Sequence, residues 1–183
     1  MLALRGSDAL PFAQAQLASD VFALEDRGWQ WSAWLTPQGR VVALMLLVRH
    51  AADALDLLVP AERGAEVAAR LQRYVFRAKV ALAVNAGVRA VAQSRAAAAR
   101  GASIDGTPGN YGLWLSDTLL LRAEAAPPGG DEAALRAHLV DAGIPLLAGA
   151  AAEAHTAHAL GLDAIGAVST RKGCYPGQEI VAR

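Results

Sequence analysis

The amino-acid sequence predicts an α+β fold in which antiparallel sheets pack against helices. Two observations lead to this class. Stretches with the apolar spacing of helices alternate with pairs of short strands, and tight turns such as Pro37-Gln38-Gly39 join the strands of a pair. A parallel doubly wound sheet would instead place a helix between successive strands.

The first half of the chain predicts two helices and four strands. Ser7 is a candidate N-cap for a helix that runs to about Ser19, because Leu10, Ala13 and Leu17 recur at spacings of three and four. Strands follow at residues 29–35, 40–48 and 53–59. Pro60 then opens a helix through residue 76, and residues 80–84 return as a strand.

The second half is less regular. We predict a strand at residues 88–91, an alanine-rich helix from Ser94 to Arg100, a turn-rich loop at 103–109 and a hairpin formed by 111–115 and 118–122. The Pro- and Gly-rich residues 126–130 are predicted to interrupt secondary structure, and Asp131 is predicted to cap a helix through Val140. We divide the chain into an N-terminal α+β subdomain at 1–86, a second at 87–150, and a returning segment at 151–183.

Composition is that of a globular cytoplasmic protein. The 183 residues include 17 basic and 17 acidic side chains, so no global field attracts nucleic acid or a membrane surface. A single cysteine excludes an intramolecular disulfide. The longest apolar run, at residues 41–48, is far below the roughly 20 residues of a membrane helix. We therefore expect no membrane partner and no direct nucleic-acid partner.

The single cysteine, Cys174, lies in the most informative stretch of the sequence. Arg171 and Lys172 precede it, and such cations favour a reactive thiolate if their side chains turn toward the sulfur. Gly173 and Gly177 permit a positive φ or the close approach of a ligand. The alternative is that Cys174 is simply a small buried apolar residue.

Other candidate sites are weaker. His155 and His158 would share one face of a helix, but a zinc site needs three or four protein ligands, so we favour a solvated helix face and predict no metal site. The sequence contains neither a phosphate-binding loop nor a Gly-x-Ser-x-Gly nucleophile motif. Trp29, Trp31 and Trp34 fall in a predicted strand and are assigned to a core or an interface.

Residues 172–179 read Lys-Gly-Cys-Tyr-Pro-Gly-Gln-Glu, and this stretch resembles the signature of the YgfZ-type folate-binding proteins, which are relatives of the glycine-cleavage T-protein. We call it the signature loop. Residues 162–169 and 142–145 before it, the first helix at 12–21 and the first hairpin at 35–40 also resemble that family. The resemblance spans the chain and is densest at its two ends.

The resemblance implies a T-protein-like fold, a pocket for tetrahydrofolate or another folate derivative, and a role in the assembly or repair of iron–sulfur enzymes. Client or scaffold proteins of iron–sulfur enzymes are the implied partners, and tRNA modification is an associated process. Cys174 would be the functional thiol. Cofactor contacts would come from Lys172, Gly173, Tyr175, Gly177, Gln178, Glu179 and, from the first hairpin, Arg40. Family members continue into a C-terminal β-barrel domain, which we expect to be absent here.

Two positions depart from the T-protein pattern. Ala43 and Leu44 stand where the T-protein's two catalytic carboxylates would fall, so aminomethyl transfer loses its general base. We therefore favour a non-enzymatic accessory protein, with a folate-dependent one-carbon transferase and a non-catalytic interaction module as alternatives. The anionic glutamate tail of a folate needs cations, and Arg40, Arg49 and Lys172 are the candidates.

Overall fold

The computed structural model describes residues 1–60, 63–94, 104–125, 129–147 and 151–182. In these residues nine strands form two sheets, and every strand pair is antiparallel, which confirms the predicted α+β class. Among the described residues, no helix is long and apolar enough to cross a membrane. The first sheet ends at residue 84 and the second begins at residue 89; the predicted three-part division stays a prediction.

The first sheet has five strands in the order β2-β3-β4-β1-β5. They are β1 (Leu2–Arg5), β2 (Gly28–Leu35), β3 (Val41–Ala51), β4 (Ala54–Leu58) and β5 (Ala81–Val84). Four of them match predicted strands. β1 was not predicted: its four residues carry no β-branched side chain, and it forms because β4 and β5 pair with it on both sides.

The second sheet has four strands in the order β6-β9-β8-β7. They are β6 (Arg89–Ser94), β7 (Asp105–Thr107), β8 (Asn110–Trp114) and β9 (Leu119–Glu124). The β8–β9 hairpin was predicted, but the predicted loop at 103–109 contains β7. Ser94 ends β6 rather than starting a helix, and the rest of that predicted helix lies outside the described residues.

Four helices complete the described fold: α1 (Ala9–Gln16), α2 (Gly64–Leu71), α3 (Glu132–Asp141) and α4 (Gln178–Val181). The α3 prediction is confirmed, since Asp131 Oδ1 accepts a hydrogen bond from the Ala134 amide at 2.9 Å. Two predicted helix starts were wrong, and the helix predicted through residue 76 ends at Leu71. α1 begins after Asp8, so Ser7 is not its N-cap, and α2 begins at Gly64 rather than at Pro60.

Three apolar cores meet at β3. Met45 and Leu47 point to a core shared with α1 and α2, whereas Leu46 and Val48 point between the two sheets. Leu44 packs in a third core with the C-terminal segment. Because both faces of β3 are covered, its sequence is an unbroken apolar run rather than an alternating one.

A buried carboxylate lies between the sheets. Asp56 on β4 is fully buried, and it accepts hydrogen bonds from Arg5 at 2.6 Å and from the His50 ring at 3.0 Å. Burial alone would raise the pKa of Asp56, but the hydrogen bonds and charges of His50 and Arg5 outweigh it and lower the pKa. Burial, aided by the Asp56 charge, raises the pKa of Tyr111, which packs edge-on against His50.

We expect Asp56→Ala to lower the free energy of unfolding by about 3 kcal/mol at pH 7, because it leaves the Arg5 guanidinium and the buried His50 ring without their shared acceptor. Asp53→Ala, at an exposed turn position, is the matched control and should change little. A carboxyl whose pKa is lowered on folding loses its contribution as the pH falls below its ordinary value of 3.8. Urea unfolding should therefore show the gap between wild type and Asp56→Ala narrowing in acid. A gap that does not change with pH would contradict this.

Candidate functional site

The signature loop is held against the end of α1 and the edge strand β2. The Ala33 amide donates to the Ala167 carbonyl at 3.0 Å, and the Ser169 amide donates to the Ala18 carbonyl at 2.8 Å. Ser169 also shapes the entry to the loop, because its hydroxyl accepts from the amides of Arg171 and Lys172 at 3.2 and 3.3 Å. The loop therefore starts from a position fixed on the first sheet.

Lys172 is the main anchor of the loop. Its side chain is 7% exposed, and its ammonium donates to the carbonyls of Gln14 at 2.6 Å, Ser19 at 3.0 Å and Leu17. These carbonyls lie at and just beyond the C-terminal end of α1, where the helix dipole favours a cation. Burial lowers the pKa of Lys172 to about 8, and the charge of Asp20 opposes that shift.

This placement differs from the prediction for Lys172. An ammonium has three N–H donors, and all three are used on backbone carbonyls. None is left for a folate tail or for the Cys174 thiolate. The sequence could not reveal this, because the carbonyls belong to residues more than 150 positions away.

Tyr175 is a second anchor rather than an exposed aromatic face. Its ring is 7% exposed and lies 4.9 Å from the Lys172 ammonium, a cation–π contact. Its hydroxyl donates to the Ser169 carbonyl at 2.8 Å, and burial raises its pKa. Tyr175, which the resemblance implies as a cofactor contact, is thus packed within the protein.

Gly177 fits the loop against the tip of the β2–β3 hairpin. Its φ is +82°, and an added Cβ would lie 2.6 Å from the Thr36 carbonyl oxygen and 2.9 Å from Gly39 Cα. Gly39 has a φ of +72°, and its Cβ would lie 2.7 Å from Ile180 Cβ. Only glycine at both positions permits this approach.

Gln178 and Glu179 form the first turn of α4. The side-chain nitrogen of Gln178 donates to the Lys172 carbonyl at 3.1 Å, and this hydrogen bond closes the loop. The side-chain oxygen of Gln178 can then accept a hydrogen bond from a ligand. Glu179 is exposed. His158 fixes the far end of α4 by donating to the Val181 carbonyl at 2.6 Å.

Cys174 and Gly173 are the exposed part of the loop. The Cys174 thiol is exposed, which excludes the alternative of a buried apolar cysteine. Gly173 has no positive φ, and an added Cβ would meet no atom within 4 Å, so neither backbone conformation nor packing requires glycine there. Open space beside an exposed thiol is left between two buried anchors, Lys172 and Tyr175.

The remaining predicted residues lie on the first sheet. Arg40 is exposed and donates to the Ala154 carbonyl at 2.6 Å, while Arg49 pairs with Asp26 at 2.6 Å. Ala43 and Leu44 are buried in β3, at 2% and 4% exposure. Within the described ranges, no group of three or more His, Cys, Asp or Glu side chains is arranged to hold a metal ion.

We expect Lys172→Met to lower the free energy of unfolding by about 1–3 kcal/mol at pH 7, because three carbonyls lose their donors. Arg171→Met, at the exposed neighbouring position, should have little effect. The pKa of Lys172 falls from 10.5 to about 8 on folding, so the unfolded chain holds more protons between these values. Urea unfolding from pH 7.5 to 9.5 should show the wild type gaining stability relative to Lys172→Met. A constant difference would contradict the burial of a charged ammonium.

We expect Gly177→Ala to destabilise the protein by about 1–3 kcal/mol and to loosen the loop. Alanine is strained at a φ of +82°, and its Cβ would clash with the Thr36 carbonyl oxygen. Gly173→Ala is the matched control in the same loop, since its Cβ enters open space. Thermal unfolding and the rate of Cys174 alkylation measure both effects. Equal stability of the two variants would rule out the close approach to the hairpin.

Comparison with known proteins places the chain among proteins of this architecture. It is 28% identical over 188 residues to an uncharacterized protein of Haemophilus influenzae, covering 100% of this chain and 65% of that protein. It is 26% identical over 204 residues to the tRNA-modifying protein YgfZ of Vibrio vulnificus, covering 100% of this chain and 62% of the relative. The same-named protein of Edwardsiella ictaluri is 27% identical over 210 residues, with 97% and 62% covered.

A solved structure has the same fold. The glycine cleavage system aminomethyltransferase T from Bartonella henselae superposes with a TM-score of 0.67 at 15% identity, over 97% of this chain and 58% of that one. No family model matches. The chain spans 62 to 65% of the length of the curated relatives it matches. The resemblance noted in the sequence is confirmed: the chain is similar over nearly its whole length to proteins named YgfZ, and it has the fold of the T-protein.

Proposed function

We propose that this chain binds tetrahydrofolate or a related folate and serves the assembly or repair of iron–sulfur enzymes through Cys174. The observation that carries the proposal is the contrast within the signature loop. Lys172 and Tyr175 are buried and hydrogen-bonded, while the intervening Gly173 and Cys174 are exposed. A loop that is anchored on both sides and exposes one thiol to solvent is suited to bringing that thiol into contact with another molecule.

Groups of the signature loop and of the first hairpin would suit different parts of a folate. Gly173 leaves open space for a flat ring to approach the backbone, and the exposed Glu179 carboxylate is a suitable acceptor for pterin N–H groups. The amide oxygen of Gln178 is a second acceptor. Arg40 would bind the anionic tail with the N–H groups it does not use on Ala154, since Lys172 has no free donor.

We favour an accessory role over aminomethyl transfer. The positions of the expected carboxylates hold Ala43 and Leu44, both buried in β3, so no acid or base is available from them. An interaction module that docks a partner on Tyr175 is disfavoured because the ring is buried. Two relatives carry the name tRNA-modifying protein, and we propose that the enzymes served by this chain include one that modifies tRNA.

We expect titration of the chain with tetrahydrofolate to show saturable binding by calorimetry. Gly173→Ala should weaken it about tenfold without lowering the melting temperature, because the new methyl group occupies ligand space and touches no protein atom. Cys174→Ser should leave folate affinity unchanged. In cells that depend on this protein, it should abolish the activity of an iron–sulfur enzyme.

Folate binding and the role of the thiol are tested by separate results. Folate binding that is absent, or is unaffected by Gly173→Ala, contradicts the ligand site. Enzyme activity that survives in the Cys174→Ser cells contradicts the thiol role. Arg136→Ala, an exposed change on α3, is the control for both measurements.

A further inference from the structure

The zero net charge of the chain hides an uneven distribution. Residues 67–94 contain no Asp or Glu but five cationic side chains. These are Arg70, Arg73, Arg77, Lys79 and Arg89. A cationic stretch of this kind attracts polyanions locally even when the whole chain is neutral.

Two aromatic side chains are exposed within this stretch, where the chain passes from α2 to β5. Phe76 is 86% exposed and Tyr74 is 40% exposed. Phe76 also has a φ of +42°, in the left-handed region that a bulky side chain rarely adopts. The fold thus holds Phe76 in a strained conformation while burying almost none of its ring, and strain of this kind clusters at binding sites.

Tyr74 has a fixed position beside Phe76. Its ring packs edge-on against Trp34 with 6.3 Å between ring centroids, and the Arg70 guanidinium lies 5.4 Å from the Trp34 ring. Arg70 is neutralised by Glu153 at 2.6 Å and by Glu66 at 3.7 Å.

The cations nearest Phe76 in the chain remain available. Arg73 and Arg77 are exposed, and neither side chain has a hydrogen-bond or ion-pair partner among the described residues. Asp8 accepts a hydrogen bond from the backbone amide of Lys79 at 2.7 Å, and the Lys79 ammonium has no hydrogen-bond or ion-pair partner within the described ranges. Three exposed cations thus lie within three positions of Phe76 in the sequence.

We propose that residues 73–79 bind single-stranded nucleic acid. Unpaired bases would stack on Phe76 and Tyr74, and the side chains of Arg73, Arg77 and Lys79 would contact phosphates. An exposed ring accepts any unpaired base on its π-face, and flanking cations follow the backbone. A docked protein fits less well, because the centre of a protein interface is depleted of charge. This inference does not rest on the folate proposal.

Fluorescence anisotropy tests this with a 12-nucleotide single-stranded RNA, the DNA of the same sequence, and the RNA duplex. We expect the single strands to bind more tightly than the duplex, and the RNA-to-DNA ratio reports whether the 2′-hydroxyl is used. Phe76→Gly removes the ring and relieves the positive φ, so affinity should fall about tenfold while the melting temperature does not fall.

Arg77→Ala should reduce the slope of log affinity against log salt by about 0.7, the value for one single-strand phosphate contact. Arg136→Ala removes the same charge from α3 and should leave the slope unchanged. Several outcomes overturn the proposal: no binding of either strand, equal binding of duplex and single strand, full affinity in Phe76→Gly, or equal losses in Arg77→Ala and Arg136→Ala. Binding of an acidic peptide alone would also overturn it, in favour of a protein partner. Failure here leaves the folate titration unaffected.

Discussion

The buried ammonium of Lys172 is the contact on which the shape of the signature loop depends. It joins the loop to carbonyls at the end of α1, up to 158 positions away in the chain. Tyr175 packs its ring against the same ammonium, and the Gln178 side-chain amide donates a hydrogen bond to the Lys172 carbonyl. Three of the loop's polar side chains are thus committed to the fold, and the loop's exposed chemistry is concentrated at Gly173, Cys174 and Glu179.

Local signals predicted local structure well. The Pro37-Gln38-Gly39 turn marked the first hairpin, and Asp131 marked the start of α3, because both depend on neighbours within four residues. β1 and the direction of Lys172 depend on partners far along the chain, so no pattern in their own neighbourhood indicates them. The role of Ser169 was not predicted either, although a serine hydroxyl commonly accepts hydrogen bonds from the amides two and three residues later, as it does here.

β3 links the stability of the fold to the site. Its side chains enter all three cores, and the core that holds Leu44 also contains Tyr175 and Val181 around the signature loop. Packing therefore explains why residues 43 and 44 are apolar. A pair of carboxylates at these buried positions would lack partners. Leu44 packs in the core beside the signature loop, whereas Ala43 packs in the core shared with α1 and α2.

The meeting of Gly39 with Gly177 has a consequence for the order of folding. The two residues lie near opposite ends of the chain, so their contact closes a long loop and carries a large entropic cost. During synthesis the first hairpin is made well before the signature loop, so it lacks this contact until the loop has been made. The surroundings of Cys174 therefore form after the hairpin has been made, and a chain stalled before Gly177 has the hairpin without the site.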